Sequence, residues 1–356
     1  MKVLAINPGS TSTKVGLFED GKLLWDHTDR FDSDVIGKFA TIADQKDFRR
    51  EGIEKIMADH GVALSDVDAF VGRGGLLRPM LSGTYDVNDA MLDDLKSDRY
   101  GRHAANLGGQ LAKDLAAKGG CNRAYIVDPV VVDEMMDVAR ITGLPDVPRR
   151  SVFHALNQKA ICRRAAADMG KRFDQCRMIV AHMGGGITVG AHENGRVIDV
   201  SNGLDGEGPF SPERAGSLPS GPLIDLAMSG QYTRAQLAKM IAGKGGLVAH
   251  LDTNDLREVE RRIASGDKKA QAVYEAMAYN VAKEIGARAV ALNGQVDAVV
   301  LTGGLAHSAK FCDLIVSRVS FIAPVKIYPG EDELQALADG AFRVLKGEET
   351  AKTYGA

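Results

Sequence analysis

The sequence predicts an α/β protein made of two similarly built domains. Its 356 residues provide enough chain for two hydrophobic cores. Short apolar runs alternate with alanine-rich amphipathic stretches, which is typical of α/β construction. The segment "KVGLFEDGKLL" (14–24) shares Val, Gly, Glu and Gly, at the same four places, with "TVGAHENGRVI" (188–198). This internal repeat indicates that the two domains are related by duplication.

Each copy of the repeat is predicted to be a β-hairpin. It follows a strand and a glycine-containing loop, which is "INPGSTST" in the first copy and "AHMGGGI" in the second. The turns fall at Asp20-Gly21 and Asn194-Gly195, residue pairs that favour tight hairpins. We therefore expect two hairpin-led domains, the second starting near Met178, that face each other across a cleft where ligands bind.

Hydrophobic periodicity places further elements between the loops. The predicted helices include Ala105–Lys118, Ala155–Met169, Lys268–Leu292 and Glu333–Leu345, and the predicted strands include Tyr125–Val127, Met178–Ala181 and Ala298–Leu301.

Composition argues against several classes of protein. The net charge is -3 and 26% of the residues are charged, so neither disorder nor a nucleic-acid partner is expected. The first residues lack the apolar core of a secretion signal, and no uncharged run of 18 residues could cross a membrane. We expect a cytoplasmic protein. Its four cysteines lie far apart without CxxC spacing, which favours reduced thiols over a zinc site or disulfides.

The loop "INPGSTSTK" (6–14) has the residue types that bind phosphate. It is not a Walker A loop, because no second glycine precedes Lys14 and a strand follows where a helix belongs. Backbone N–H groups, hydroxyls such as those of Ser10 and Ser12, and the ammonium group of Lys14 can all face an anion. The alternative is a hairpin in which Ser and Thr only suit the turn.

Two further glycine loops could approach a ligand closely. "HMGGGITVG" (182–190) offers three consecutive glycines, whose N–H groups are unobstructed by side chains. "VVLTGGLAHS" (299–308) ends a buried strand with Gly303-Gly304 and is predicted to open a helix, where a ribose or phosphate could bind. Each of these loops alone is a weak signal.

The order of the three loops resembles the acetate and sugar kinase, Hsp70 and actin superfamily. The resemblance implies two duplicated ribonuclease H-like (actin-like ATPase) domains that face a central cleft and bind ATP. It narrows to the butyrate kinases of the acetokinase family, which the chain resembles along nearly its whole length in "INPGSTSTK", "VFHALNQKA" (152–160), "SPERAGSLPSGPL" (211–223), "TNDLRE" (253–258) and "YPGEDELQALADGA" (328–341).

This resemblance implies a short-chain acyl kinase of fatty acid fermentation. It would convert ATP and butanoate reversibly into ADP and butanoyl phosphate by direct in-line transfer. ATP/ADP and Mg2+ would be its cofactors, a small carboxylic acid or acyl phosphate its other substrate, and a homodimer its assembly. Isobutyrate and other branched acids, propionate and acetate are alternative acceptors. An actin-like ATPase scaffold or regulator is the alternative from another class.

The second loop departs from the acetate kinases. They have an asparagine between two glycines, whereas this chain has Gly184-Gly185-Gly186, and the chain is shorter than a typical acetate kinase. Both differences favour a butyrate kinase. Overlapping use of neighbouring acids is still expected, because one methylene contributes only about 1 to 3 kcal/mol to discrimination.

Cations must surround the point where the carboxylate meets the terminal phosphate of ATP. The resemblance implies catalytic roles for Arg73, His154, Arg214 and Lys14. The fixed fork of an arginine can bind phosphate or carboxylate through two bonds, and a histidine can donate to the phosphoryl group in flight. Arg78 is an alternative to Arg73.

The resemblance assigns two carboxylates to Mg2+. They are Asp128, with Asp133 as the alternative, and Glu333, with Glu331 and Asp332 as the alternatives. The nucleotide-binding residues implied by the resemblance are Asn7, Ser10, Ser12, His182, Gly184, Gly185, Gly186, Asp255, Arg257, Gly303 and Gly304.

The domain boundary is predicted between Asp146 and Ser151, where "PDVPRRS" interrupts the pattern. We expect a first domain of residues 1–150 together with 333–356, whose closing helix returns to it as in the relatives. The second domain, 151–332, would carry the adenosine loop.

Overall fold

The computed structural model describes residues 1–355. The strands are β1 (Lys2–Pro8), β2 (Ser12–Glu19), β3 (Lys22–Arg30), β4 (Ala69–Arg73), β5 (Thr84–Asp86), β6 (Ala124–Val127), β7 (Arg177–Met183), β8 (Ile187–Glu193), β9 (Arg196–Val200), β10 (Ala298–Gly303), β11 (Val325–Pro329) and β12 (Lys352–Thr353).

The helices connect these strands. They are α1 (Ser33–Ile36), α2 (Lys46–Asp59), α3 (Asp89–Lys96), α4 (Asn106–Lys118), α5 (Asp137–Arg140), α6 (Ala155–Asp168), α7 (Ser220–Met228), α8 (Arg234–Ile241), α9 (Gly246–Leu251), α10 (Leu256–Ala264), α11 (Lys268–Ala291), α12 (Ala309–Val319) and α13 (Glu333–Leu345), with short 3-10 helices at Ala43–Gln45, Leu64–Asp66, Phe173–Gln175 and Gly304–His307.

Two sheets with the same strand order organise the chain. The first runs β12-β5-β6-β4-β1-β2-β3 and the second runs β11-β10-β7-β8-β9. In each, the leading strand pairs antiparallel with its hairpin partner and parallel with the next crossover strand, which is β4 for β1 and β10 for β7. The second sheet therefore repeats the core of the first, and β5 and β12 extend only the first.

The hairpin turns have the conformation that their residues predict. Asp20 and Gly21 have φ of 49° and 87°, and Asn194 and Gly195 have φ of 51° and 81°. Positive φ at both central residues matches the right-handed twist of the flanking strands. Asparagine, aspartate and glycine adopt it at lower cost than other residues.

The two hairpins also share an irregularity. The β2–β3 ladder shifts its register between Leu17 and Phe18, and the β8–β9 ladder shifts between Ala191 and His192. These are equivalent positions of the sequence repeat. The same irregularity at equivalent positions of both hairpins supports the predicted duplication of an α/β domain.

The chain divides into two compact units. The first contains Met1–Val132 and the chain from Asp332 onward, and the second contains Asp133–Glu331. In the first unit α4 and α13 pack on the sheet, and in the second α11 lies against β7, β8 and β9.

The units do not divide at residue 150, where "PDVPRRS" predicts a boundary. Residues 133–150 lie in the second unit because they are hydrogen-bonded to it. The Met136 N–H donates to the Ile198 carbonyl at 2.9 Å. Arg149 donates to Asp199 at 2.8 Å and to Glu207 at 3.1 Å. The proline-rich break is therefore a surface turn within the second unit.

Predicted and observed helices differ mainly at their ends. The third glycine loop differs more, because β10 ends at Gly303 and a 3-10 helix, Gly304–His307, precedes α12. The Ser308 side chain accepts from the Phe311 N–H at 3.1 Å and caps α12. Across residues 1–355, the helices are all too short or too polar to span a membrane.

Candidate active site

The hydroxyl-rich loop forms the turn between β1 and β2. The Gly9 N–H donates to the Ser12 carbonyl at 2.8 Å and closes the turn, and Ser10 is exposed beyond it. Asn7 pairs with Lys14 across the ladder, so their side chains lie on the same face of the sheet. The loop is followed by a strand because it belongs to a hairpin.

Lys14 forms a salt bridge across the neighbouring strand. Its Nζ lies 3.0 Å from Asp26 Oδ2, and the two side chains are 46% and 42% exposed. A half-exposed pair of this kind contributes little to stability. Lys14 can therefore leave Asp26 for a phosphate at small cost.

Arg73 lies at the end of β4 beside Asn7 and the first turn of α13. Its Nη1 donates to Glu333 Oε2 at 2.8 Å, and Asn7 Nδ2 donates to the same oxygen at 2.6 Å. The alternative arginine, Arg78, instead donates to Asp94 at 3.1 Å. That hydrogen bond and the nearby charge of Asp94 raise the pKa of Arg78. Of these two alternatives, Arg73 lies next to the hydroxyl-rich hairpin through its contact with Asn7.

Asp128 follows β6 in a left-handed backbone conformation, with φ of 37°. Its side chain is 3% exposed, and its Oδ1 accepts from the Gly83 N–H at 2.6 Å. The alternative carboxylate, Asp133, accepts from Arg140 Nη1 at 2.7 Å in the second unit. The two aspartates therefore lie in different compact units.

His103 is a further candidate for the active site, and no sequence motif indicates it. Desolvation of its ring, and then the charge of Arg73, lower its pKa. Its Nδ1 accepts from the Ala105 N–H at 3.1 Å just before α4. The sequence signal is only a lone histidine in "GRHAANLGG", with no spacing that connects it to Arg73.

In the second unit, two histidine rings lie against each other. The imidazoles of His154 and His182 are stacked with centroids 3.8 Å apart and planes 13° apart. His154 occupies the N-cap position of α6, and its Nδ1 lies 2.9 Å from Thr188 Oγ1. In His182, Nδ1 lies 2.8 Å from Asn157 Oδ1 and Nε2 lies 3.2 Å from Glu331 Oε1. Both rings are thus fixed in position.

Arg214 packs against the glycine loop between β7 and β8. A Cβ at Gly186 would collide with the Arg214 guanidinium, so the arginine can hold this position only beside a glycine. Arg214 Nη1 donates to the Gly203 carbonyl at 2.8 Å. Gly203 in turn lies against Thr188, since a Cβ added at Gly203 would be 2.8 Å from the Thr188 methyl group. Burial lowers the pKa of Arg214. Since Thr188 also bonds His154, the arginine and the two histidines gather at one turn.

Three other glycines of the candidate site lie where an added side chain would meet a neighbouring segment. A Cβ at Gly184 would lie 2.8 Å from Glu331 Oε1, and one at Gly185 would lie 3.3 Å from Glu213 Oε2. Gly303 has φ of 91°, and a Cβ there would collide with the backbone of Met183. These positions let neighbouring chain segments approach closely.

A cavity of about 770 Å³ opens beside this cluster in the second unit. Asp255 caps α10 by accepting from the Arg257 N–H at 2.9 Å, and its carboxylate is also 3.0 Å from the Arg257 guanidinium. The volume is in the range of small-molecule sites. The cavity is lined by Gly185, Glu213, Asn254, Asp255, Leu256, Arg257, Glu260, Gly304, Leu305, His307 and Ser308.

A model of the acetokinase family matches residues 146–334, more than half of the chain. The chain belongs to the acetokinase family. It is therefore a carboxylate kinase that uses ATP and ADP. His154, His182, Arg214 and the cavity lie within the matched range, whereas Asn7, Lys14, Arg73 and Asp128 lie outside it.

Solved structures with this fold include other acetokinase family members. The acetate kinase of Porphyromonas gingivalis superposes with a TM-score of 0.80 at 23% identity, over 97% of this chain and 99% of that one. A propionate kinase from Francisella tularensis gives 0.75 at 18% identity, over 94% and 98%. The ROK hexokinase of Thermus thermophilus gives 0.50 at 16% identity, over 98% and 100%. These likenesses support the shared actin-like fold.

Proposed function

We propose that this member of the acetokinase family is a butyrate kinase. It catalyses the reversible transfer of a phosphoryl group from ATP to butanoate, giving ADP and butanoyl phosphate. The observation that best supports a transfer site is the gathering of His154, His182 and Arg214 at the turn between β7 and β8. Donors that are already fixed in place stabilise developing charge without reorganisation.

The carboxylate attacks the terminal phosphate directly, so the chain supplies positioning and positive charge rather than a nucleophile. Arg214 binds the transferred group through its guanidinium fork. His154, held through Nδ1 by Thr188, donates from its other ring nitrogen to the same group. Lys14 and Arg73 supply charge from the first unit. Displacement of water from the site prevents hydrolysis of ATP and of the acyl phosphate.

Mg2+ is part of the proposal, with Asp128 and Glu333 as its carboxylate ligands. Mg2+ keeps several water molecules and takes one or two carboxylates beside nucleotide phosphates. Residues 1–355 contain no group of three or more His, Cys, Asp and Glu side chains arranged as a metal cage. When bound, it would neutralise phosphate charge.

The preference for butanoate rests on the motifs that resemble butyrate kinases. The replacement of the acetate kinase asparagine by glycine adds no support for butanoate, because Gly185 lines the same cavity as Asp255 and Gly304. We propose that this cavity binds the nucleotide. The missing side chain then enlarges the nucleotide side of the site and carries no information about acyl length.

Acyl phosphate formation, trapped as the hydroxamate, tests the proposal. The value of kcat/KM is compared for acetate, propionate, butyrate, isobutyrate and isovalerate, with and without Mg2+. We expect a maximum at butyrate and no product without ATP. A maximum of kcat/KM at another acid would change the proposed substrate and leave the proposed reaction type unchanged. No product with any acid would overturn the proposed function.

Three further proposals concern the roles of the domains, the cellular location and the assembly, of which only the assembly rests on the resemblance alone. The first domain carries the phosphate hairpin and the second carries the nucleotide cavity. The protein is a cytoplasmic homodimer. Light scattering after size-exclusion chromatography tests the assembly, since a monomeric mass at micromolar concentration would contradict it.

A further inference from the structure

Arg49 on α2 is the largest fully buried side chain among the described residues, with 1% of its surface exposed. Its guanidinium lies behind the hydroxyl-rich turn. Nη1 donates to the Ser12 carbonyl at 2.7 Å and to Thr13 Oγ1 at 2.9 Å. Nη2 donates to the Ser10 carbonyl at 3.1 Å. From the helix side, Gln45 Oε1 accepts from Nε at 3.1 Å and from Nη2 at 2.8 Å.

The positive charge of Arg49 is only partly balanced by its surroundings. Its hydrogen-bond partners among residues 1–355 are carbonyl, amide and hydroxyl oxygens. The Asp29 carboxylate is the negative charge that acts electrostatically on the Arg49 guanidinium. The Arg49 Cζ lies 5.1 Å from the centroid of the Phe31 ring. Burial lowers the pKa of Arg49 to about 10. The guanidinium therefore stays protonated at neutral pH and places a cation directly under the turn.

The carbonyl bonds also orient the peptide groups of the turn. In a planar trans peptide, the C=O and the following N–H point in opposite directions. Because the Ser10 carbonyl points at Arg49, the N–H of Thr11 points away from the buried side, and Thr11 is exposed. A turn that directs the Thr11 N–H outward above a cation is suited to bind an anion.

We propose that Arg49 is a positioning residue for phosphoryl transfer, which holds the turn at residues 10–13 in the conformation that binds the phosphoryl group being transferred. The inference rests on the proposed function of this turn as a phosphate loop. The transferred group is present in ATP and in butanoyl phosphate and absent from ADP. Arg49 therefore strengthens binding of the first two ligands and leaves ADP binding unchanged.

The substitution Arg49→Lys tests this prediction. Lysine retains the charge but lacks the planar fork that reaches several oxygens at once. Calorimetry gives the Kd of ADP and of a non-hydrolysable ATP analogue, and kinetics give kcat and the KM for butanoyl phosphate. We expect the analogue Kd and the acyl phosphate KM to rise at least about fivefold, while the ADP Kd changes less than about twofold.

Arg288→Lys is the matched control. Arg288 is also a buried arginine, but it pairs with Asp199 and Glu284 in the second unit. Its replacement should lower the melting temperature without changing the ratio of the analogue Kd to the ADP Kd. Gln45→Leu removes an anchor and keeps Arg49. Gln45→Leu should raise the analogue Kd and the acyl phosphate KM by a smaller factor and leave the ADP Kd unchanged. It replaces Arg49→Lys as the test if that variant does not fold.

Two outcomes in folded variants would overturn the inference. One is an unchanged Kd for both ADP and the ATP analogue. The other is an equal rise in both Kd values, which would mean that Arg49 only stabilises the fold. A wild-type protein that forms no acyl phosphate would overturn the proposed function instead. The ratio of the two Kd values would still decide the role of Arg49.

Discussion

Arg73 Nη1 and Glu333 Oε2 lie 2.8 Å apart, and the two side chains are 22% and 16% exposed. The arginine proposed to act on the phosphoryl group is thus held by a carboxylate proposed to bind Mg2+. A shared carboxylate of this kind couples the position of the arginine to the cation. Substitutions at Glu333 separate the two roles.

Glu333→Gln should raise the Mg2+ concentration for half-maximal activity severalfold, because an amide is a poorer ligand than a carboxylate. The KM for butanoate should change little, since the amide oxygen still accepts from Arg73. Glu333→Ala should change both quantities. Titrations of activity with Mg2+ and with butanoate check this. An unchanged Mg2+ dependence in Glu333→Gln would mean that Glu333 does not bind Mg2+ and only holds Arg73.

Gly186→Ala should inactivate the enzyme without unfolding it. The new Cβ would collide with the guanidinium of Arg214, and displacement of this one charged donor should lower kcat about 100-fold. The control is Gly286→Ala within α11, where no heavy atom lies within 4 Å of the added Cβ. That variant should retain full activity and gain up to about 1 kcal/mol of stability. Wild-type kcat in Gly186→Ala would contradict the role of Arg214.

Lys14→Ala should lower kcat by about 10- to 100-fold while the KM for ATP stays within about twofold, because the lysine acts on the phosphate in transfer. Asp26→Asn is the matched control, since it removes the partner of Lys14 and keeps the ammonium group. It should retain nearly normal kcat. Initial rates over a range of ATP concentrations measure both variants, and equal turnover in Lys14→Ala would exclude the assigned role.

His154→Ala should reduce kcat about 100-fold through loss of a donor to the phosphoryl group. Thr188→Val should cause a smaller loss, because it removes the hydroxyl that holds His154 Nδ1 but keeps the ring. Both should bind ADP normally by calorimetry. A Thr188→Val variant as impaired as His154→Ala would mean that the hydroxyl takes part in the reaction itself.

His192 makes the stability of the fold dependent on pH. Burial, and then the charge of Lys159, lower the pKa of His192 to about 3. Its Nδ1 has no hydrogen-bond partner among the described residues. The unfolded state, with the ordinary pKa near 6.5, binds the proton more readily. The stabilisation from neutral His192 is therefore complete above about pH 6.5 and is lost as the pH falls toward 3.

Urea unfolding at several pH values measures this contribution. The free energy of unfolding should fall by up to about 1.4 kcal/mol per pH unit below pH 6 because of His192 alone. His192→Asn should be less stable at pH 7.5 and show a flatter acid dependence. His27→Asn, at an exposed position, should leave the slope unchanged. An unaltered slope in His192→Asn would show that other groups cause the acid dependence.

The duplicated hairpins were predictable because their signals are local. Asp20-Gly21 and Asn194-Gly195 determine the turns, and the strands alternate with period two around them. The repeat then predicted two similarly built domains, and the five strands of the second sheet follow the order of five strands of the first.

The remaining features depend on contacts between distant residues. Arg73 and Glu333 are 260 positions apart, and Arg49 is 36 positions from Thr13. In the sequence Arg49 appears as one charge among several on an ordinary helix. The break at "PDVPRRS" predicted a boundary too late in the chain, because composition does not reveal the bonds from Arg149 to Asp199 and Glu207.

The division of the first unit has a consequence for biosynthesis. The second unit, Asp133–Glu331, is continuous, whereas the first needs α13, whose Leu334 packs beside Gly16 on β2. During translation the strands that precede the second unit emerge before it, and they lack this helix until the whole second unit has been synthesised. Domains usually complete their folding in the order of synthesis. Here the later unit can reach its native state first, and the earlier one is finished last.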